Sequence, residues 1–175
     1  MPKQNYNLFK NKGFTLVELL VVIAIISLLA SVVLANVNSI RAKARDTRRV
    51  IDATNIKKAL DMYYLDKGYY PASTGATSPN GSWSNSADAS WTSLETLLAS
   101  YFTKLPKDPL ENNNPAEWGA IGYHYSYYRC GSTPSYMLVY KLEIAAGPDP
   151  GVYCSPNFYR YGGTGPNTQV KTTFR

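Results

Sequence analysis

From Phe14 to Ala35 the chain reads FTLVELLVVIAIISLLASVVLA, with one acidic residue, Glu18, and no other charge. At about 1.5 Å per helical residue such a run reaches across a hydrocarbon layer of ~30 Å. In lipid every backbone polar group must find its partner inside the segment, so helix follows despite the indifferent propensities of valine and isoleucine. No glycine or proline occurs from Phe14 to Lys67, and the helix is expected to continue beyond the apolar run. The extension carries Ala53, Ile56, Leu60, Tyr63 and Tyr64 at three-and-four spacing, one face suited to packing on a folded domain. Lys67 followed by Gly68 supplies the ending, a cation in the last turn and then a residue free to adopt positive φ. Asn36, Asn38 and Ser39 mark the place to bend or fray.

After Gly68 the pattern changes. The segment from Ala72 to Ser90 is small and polar and reads as a surface loop. Thr92 with Glu95 forms a T-x-x-E capping box ahead of Leu94, Leu97, Leu98 and Tyr101, predicting a short second helix. IGYHYSYYR and SYMLVYKLEI both alternate around the turn CGSTP, predicting an antiparallel hairpin with Tyr136, Leu138, Tyr140, Leu142 and Ile144 on one face. QVKTTF adds a further strand. The expected class is α+β: a long N-terminal helix on a small head with a short helix and an antiparallel sheet.

The net charge of +6 is not spread over the head. Lys3, Lys10 and Lys12 supply three of the six, and Arg41, Lys43, Arg45, Arg48 and Arg49, less Asp46, supply four, so the remainder is slightly acidic. That argues against nucleic acid as a partner, which calls for basic residues clustered on the folded domain. The four arginines fall on one helical face just past the apolar run, where anionic headgroups or acidic neighbours would meet them. The competing reading is a solvated face with Arg48 and Asp52 as an i,i+4 pair.

Cys130 and Cys154 are the only cysteines. A bridge between them would stabilise by ~3 kcal/mol in the chain-entropy model and requires an oxidising compartment; the alternative is two independent thiols. His124, the one histidine, lies in an alternating tyrosine strand, and GGTGPN lacks the Lys-Ser/Thr of a phosphate loop. No catalytic residue is predicted and the chain is read as a non-enzyme. Tyr123, Tyr125 and Tyr127, with Trp83, Trp91 and Trp118, offer a glycan- or DNA-gripping surface, or else the core and rim of a thin sheet. Ser27, Ser31 and Ala35 recur every four residues, the spacing that lets membrane helices approach closely.

A basic leader ending in Gly13, then Phe14-Thr15-Leu16-Val17-Glu18 and the long apolar run, closely resembles the cleavage and methylation motif of type IV prepilins and type II secretion pseudopilins. GYYP at 68–71, LPKDP and YHY resemble the head of the secretion system's major pseudopilin more loosely. The resemblance implies that a membrane-embedded prepilin peptidase cuts between Gly13 and Phe14 and N-methylates Phe14. It divides the chain into a leader (1–13), a transmembrane and polymerisation helix (14–35), its amphipathic continuation (36–67) and a globular head (68–175). Implied partners are identical or homologous pilin subunits, the peptidase, a membrane-embedded assembly platform and, before assembly, the lipid bilayer. The implied location is a single pass through the cytoplasmic membrane with the head outside, then an extracytoplasmic filament or the cell surface.

An ionised carboxylate in a spanning helix calls for a partner. Cleavage creates a cationic amine at Phe14, and the Glu18 of a neighbouring subunit can pair with it where the dielectric is low. Such a heterologous contact does not close and so propagates as a filament; pairing within one chain would instead only aid insertion. Two features depart from expectation. Most family members carry a proline where this chain has Ala35, and the basic band outweighs the leader, so counting lysines and arginines alone would leave the head in the cytoplasm. Secretion pseudopilins often hold calcium in an acidic C-terminal loop. Here Glu143 and Asp149 are the only carboxylates after Glu117, fewer than calcium usually takes, so no cofactor is expected and calcium stands as a minor alternative. The rival to the filament reading is a secreted binding domain whose apolar run is a signal sequence cut before Asn36.

Overall fold

The computed structural model describes residues 13–74, 83–111, 122–131, 134–144, 147–149, 151–154, 157–159 and 170–174, with side chains for all of these but 32, 34–36 and 170–174. The chain falls into two compact units, Met1–Ile40 and Arg41–Arg175. One helix, α1 (Leu16–Lys67), runs through both, and helical hydrogen bonding continues through the Asn36–Ser39 stretch expected to fray. It ends as predicted: Gly68 sits at φ 79° and donates its N–H to the Tyr64 carbonyl at 2.8 Å.

In the head, the elements after α1 are β1 (Ser84–Asn85), α2 (Ala89–Leu98), β2 (Ser126–Arg129), β3 (Tyr136–Lys141), β4 (Val152–Cys154), β5 (Asn157–Tyr159) and β6 (Val170–Phe174). The main sheet has the order β1-β2-β3-β6, with every pair antiparallel. The predicted hairpin is β2–β3, in register Tyr127 opposite Leu138, its turn closed by Cys130 N–H donating to the Ser135 carbonyl at 2.9 Å. Within QVKTTF, Val170–Phe174 form β6 along β3. A second, two-stranded sheet joins β4 to β5.

Period-two alternation sorts β3 between two cores. Tyr136 and Leu138 join Ala53, Ile56, Leu60 and Tyr63 of α1 and Trp91, Leu94 and Leu98 of α2 in the larger one. Met137 and Val139 face the other way, onto Trp83, Cys130, Val152 and Cys154. The Cys130–Cys154 disulfide, with Cα atoms 5.2 Å apart, ties β4 to the end of β2 inside this second core.

Two local expectations are corrected. The expected surface loop from Ala72 to Ser90 ends in core: Trp83, Ser84, Asn85 and Ser86 are all buried, because β1 pairs with β2. Helix α2 does not begin at Thr92. Asp88 is its N-cap, accepting from Ser90 N–H at 2.8 Å, and Glu95 instead accepts from Leu105 N–H at 3.1 Å. Asp88 is as good a cap as threonine, and starting there brings Trp91 under the sheet as part of the helix.

Candidate functional site

In the N-terminal unit, Gly13, Phe14 and Thr15 precede the helix in non-helical chain. Thr15 and Glu18 close on each other. Thr15 donates both its N–H and its hydroxyl to Glu18 Oε2, at 2.9 and 2.7 Å, and Glu18 N–H donates to Thr15 Oγ1 at 3.2 Å. This is a reciprocal capping box, with Thr15 as N-cap and Glu18 at the third helical position, satisfying two of the orphan donors of a helix start. The carboxylate also sits at the positive end of the helix dipole. The T-x-x-E pattern that misplaces the start of α2 at Thr92 is thus realised at Thr15, where the sequence reading saw only a charge.

Every large apolar side chain described from Leu16 to Leu29, and Val33, is at least 46% exposed. A helix apolar on all sides is one whose cover lies outside its own chain. Ser27 and Ser31 donate their hydroxyls to the carbonyls of Ile23 and Leu28, each at 2.7 Å, which leaves two small, polar-satisfied positions on the surface; the side chain of Ala35 lies outside the described residues. Among the described residues no helix is long and apolar enough to cross a membrane. The sequence itself stays apolar to Ala35.

In the head, the basic band does not act as one face. Arg49 is fully buried and forms a fork with Asp108, Nε to Oδ2 at 2.6 Å and Nη2 to Oδ1 at 2.8 Å. Its Nη1 reaches Asp46 and Glu143, both at 2.7 Å. Arg45 forms a second fork, on Glu143, at 2.6 and 2.5 Å. Asp46 in turn accepts from the N–H groups of Glu143 and Ile144, both at 2.9 Å. Hydrogen bonds from Arg45, and then Arg49, hold the Glu143 carboxyl down at about 2 against the opposing effect of burial. Burial works against the charged form of Arg49, but its hydrogen bonds to Asp108 and Glu143 outweigh it and raise the pKa. Arg41 stays exposed, and Arg48, 64% exposed, makes the i,i+4 contact with Asp52 at 3.7 Å.

Of the two readings of the aromatics, the core one holds where side chains are described: Trp83, Trp91, Tyr125 and Tyr127 are buried, and Tyr123 lies with its ring centroid 4.5 Å from the Arg49 guanidinium carbon. Their hydroxyl and indole groups are spent inside the head, Tyr125 on Asp52, Tyr127 on the Pro71 carbonyl and Trp91 on the Pro106 carbonyl. Trp118 and GGTGPN lie outside the described residues, and His124 is buried. The two carboxylates considered for calcium are committed elsewhere, Glu143 to the arginines and Asp149 to the Gly151 N–H at 3.2 Å. Among the described residues no group of three or more His, Cys, Asp or Glu could hold a metal ion.

The prokaryotic N-terminal methylation motif matches residues 8–34, the stretch that holds Gly13, Phe14 and the Thr15–Glu18 box. The type II secretion system core protein G of Escherichia coli K12 is 38% identical over 120 residues, 63% of this chain and 77% of that protein. The chain belongs to the family of type IV pilins and type II secretion pseudopilins. The core protein G of Vibrio cholerae is 33% identical over 129 residues, 64% of this chain and 77% of its own. The type IV wide pilus major component PilA4 of Thermus thermophilus is 36% identical over 90 residues, 51% of this chain and 69% of its own. No solved structure matches. As a pilin-like protein the chain is a structural subunit rather than an enzyme, and the secreted binding-domain reading is set aside. The α+β layout of one long helix followed by a short helix and small antiparallel sheets is pilin-like.

Proposed function

We propose that this chain is made as a membrane-anchored precursor and becomes a filament subunit when prepilin peptidase cuts between Gly13 and Phe14 and methylates the Phe14 amine. Residues 1–13 are then the leader, 14–35 the membrane-spanning and polymerising segment, 36–67 its continuation and 68–175 the head outside the cytoplasmic membrane. The observation that carries the reading is the union, within one short stretch, of the methylation motif, an apolar helix exposed on all its described faces and a carboxylate without a cationic partner among the described residues.

In the precursor, Glu18 is occupied by its own Thr15. These are hydrogen bonds from neutral groups. An ammonium offered by a neighbouring subunit's Phe14 brings full opposite charge into a low-dielectric layer and competes favourably for the same oxygens. Cleavage therefore acts as the assembly switch, since the uncut chain has an amide at that position. Ser27 and Ser31, and Ala35 in the sequence, supply the close-approach positions between packed helices, while the assembly platform and the bilayer hold the subunit before extraction. The head's location outside the membrane agrees with the Cys130–Cys154 bridge. Folding also consumes Arg45 and Arg49 in ion pairs, which leaves Arg41, Lys43 and Arg48 as the exposed cations next to the apolar run. Those pairs form after the head folds, so they stabilise the outward state without choosing it.

The matches that span most of a relative, at 77% of its length, include core protein G of two organisms, which favours the pseudopilus of type II secretion. The match to a type IV wide pilus component over 69% of its length supports a surface pilus as the second reading. The deciding test of processing is the intact mass and N-terminal sequence of the protein made in its own cell. The expected result is a chain beginning at N-methylated Phe14; one beginning at Asn36 would refute the reading.

A further inference from the structure

Asp46, Asp108 and Glu143 come from three separate stretches: α1, the loop after α2 and the exit of β3. All three converge on one guanidinium, that of Arg49, at 2.6–2.8 Å. Arg49 and the Asp108 side chain are both fully buried. Carboxylates gathered from separate segments into a largely buried site repel one another unless a cation lies among them. A hard divalent ion with an oxygen shell is one way to supply that charge. Here the charge is covalently part of the chain.

We propose that Arg49, seconded by Arg45, is the resident cation of this head, so that the subunit folds and assembles without calcium. The carboxylate oxygens are already shared out. Arg45 holds Glu143 Oε2, the Glu143 and Ile144 N–H groups donate to the two oxygens of Asp46, and Leu110 N–H donates to Asp108 Oδ1 at 2.8 Å. An ion entering this cluster would have to displace a forked arginine whose face is covered by the Tyr123 ring. Asp149, the remaining carboxylate of the C-terminal segment, is buried and accepts from Gly151 N–H. The chain thus departs from the calcium-holding loop that its family resemblance implied. An arginine fork cannot be stripped by a chelator or diluted away, so a head built on it is indifferent to the calcium level outside the membrane.

The test is the thermal melting of the full mature chain in detergent, with excess EDTA and with millimolar calcium. The expected result is the same midpoint in both, and no heat on titrating calcium into the protein. A ligand held at roughly a hundred times its dissociation constant raises a midpoint by several degrees, so a rise of that size with calcium, or a fall with EDTA, overturns the proposal. Arg49→Met is expected to melt far below the wild type with or without EDTA; a wild-type midpoint for that variant would equally overturn it. Both readouts come from the head, so loss of filaments in a Glu18 variant with an unchanged calcium response would leave this proposal standing, and normal filaments in that variant would count against the assembly reading alone.

Discussion

From Leu16 to Leu29 every large apolar side chain is at least 46% exposed, whereas Ala53, Ile56, Ala59, Leu60 and Tyr63 of the same helix are at most 7% exposed. The residue types differ little; what differs is who provides the cover. In the head, α2 and the sheet close over one stripe of α1. The charges follow the same division. Glu143 meets two arginines of its own chain, while among the described residues Glu18 meets only the neutral groups of Thr15. Among the described residues, the buried charges and the core stripe of the head are met by its own chain, whereas the N-terminal segment leaves its apolar surface uncovered and its carboxylate without a cation, and those are the valences available for assembly.

The largest effect should come from Glu18→Ala. If the segment's unfilled valence is the assembly contact, this variant as the sole subunit should be cut at Gly13–Phe14 yet form no filaments in electron micrographs. Normal filaments would end the comparison, because the two carboxylates would then be equally local in their work.

On the head side, Arg49→Met should cost ~3–5 kcal/mol, the usual penalty for leaving buried charges without their partner. The same network fixes a pH dependence. Glu143 has its pKa depressed to about 2, so its contribution is fully present above the ordinary carboxylate range and is lost as pH falls through about 2. Acid titration of the wild-type head, followed by near-ultraviolet dichroism, should show native packing persisting below pH ~4. In a Glu143→Gln variant, stability should no longer depend on that group, and the loss should be visible already at neutral pH.

Much of this division was legible in the residues. The unbroken α1, its Lys67–Gly68 ending, the β2–β3 hairpin and the paired cysteines follow from local chemistry: absence of breakers, period-two alternation and the scarcity of sulfur. What was not legible depends on distant partners. Nothing local distinguishes Arg45 and Arg49, which turn inward, from Arg41 and Arg48, which do not; the distinction is made by Asp108 and Glu143, far away in sequence. Trp83 and the serines beside it look like loop until β2 pairs with them. The Thr15–Glu18 box is the opposite case: its signal is local and complete, but inside an apolar run the charge stands out more than the cap.

Breaking the disulfide probes how self-sufficient the head is. Cys130→Ser with Cys154→Ser should cost ~2–4 kcal/mol, less than Arg49→Met, because the bridge fastens the small β4–β5 sheet while the arginine joins three segments within the head. Wild type should melt lower in reducing than in oxidising buffer, and the double variant should melt alike in both. Equal melting of the wild type in the two buffers would remove the bridge from the account.

The smallest and most discriminating pair is the two helix caps. Asp88→Ala removes the N-cap of α2 and should lower head stability by about 1 kcal/mol. Thr15→Ala removes the same kind of interaction at the start of α1, but it should leave the head's melting midpoint where it was, since Thr15 belongs to the other compact unit. Its effect should be read instead at the helix start, as weaker amide protection over the first turn in micelles. Thr15→Ala should also keep Glu18 available to a neighbour's amine, so filaments should still form. If Thr15→Ala abolished filaments as thoroughly as Glu18→Ala, the carboxylate would be acting through its cap, and the contact between subunits would have to be sought elsewhere on the apolar helix.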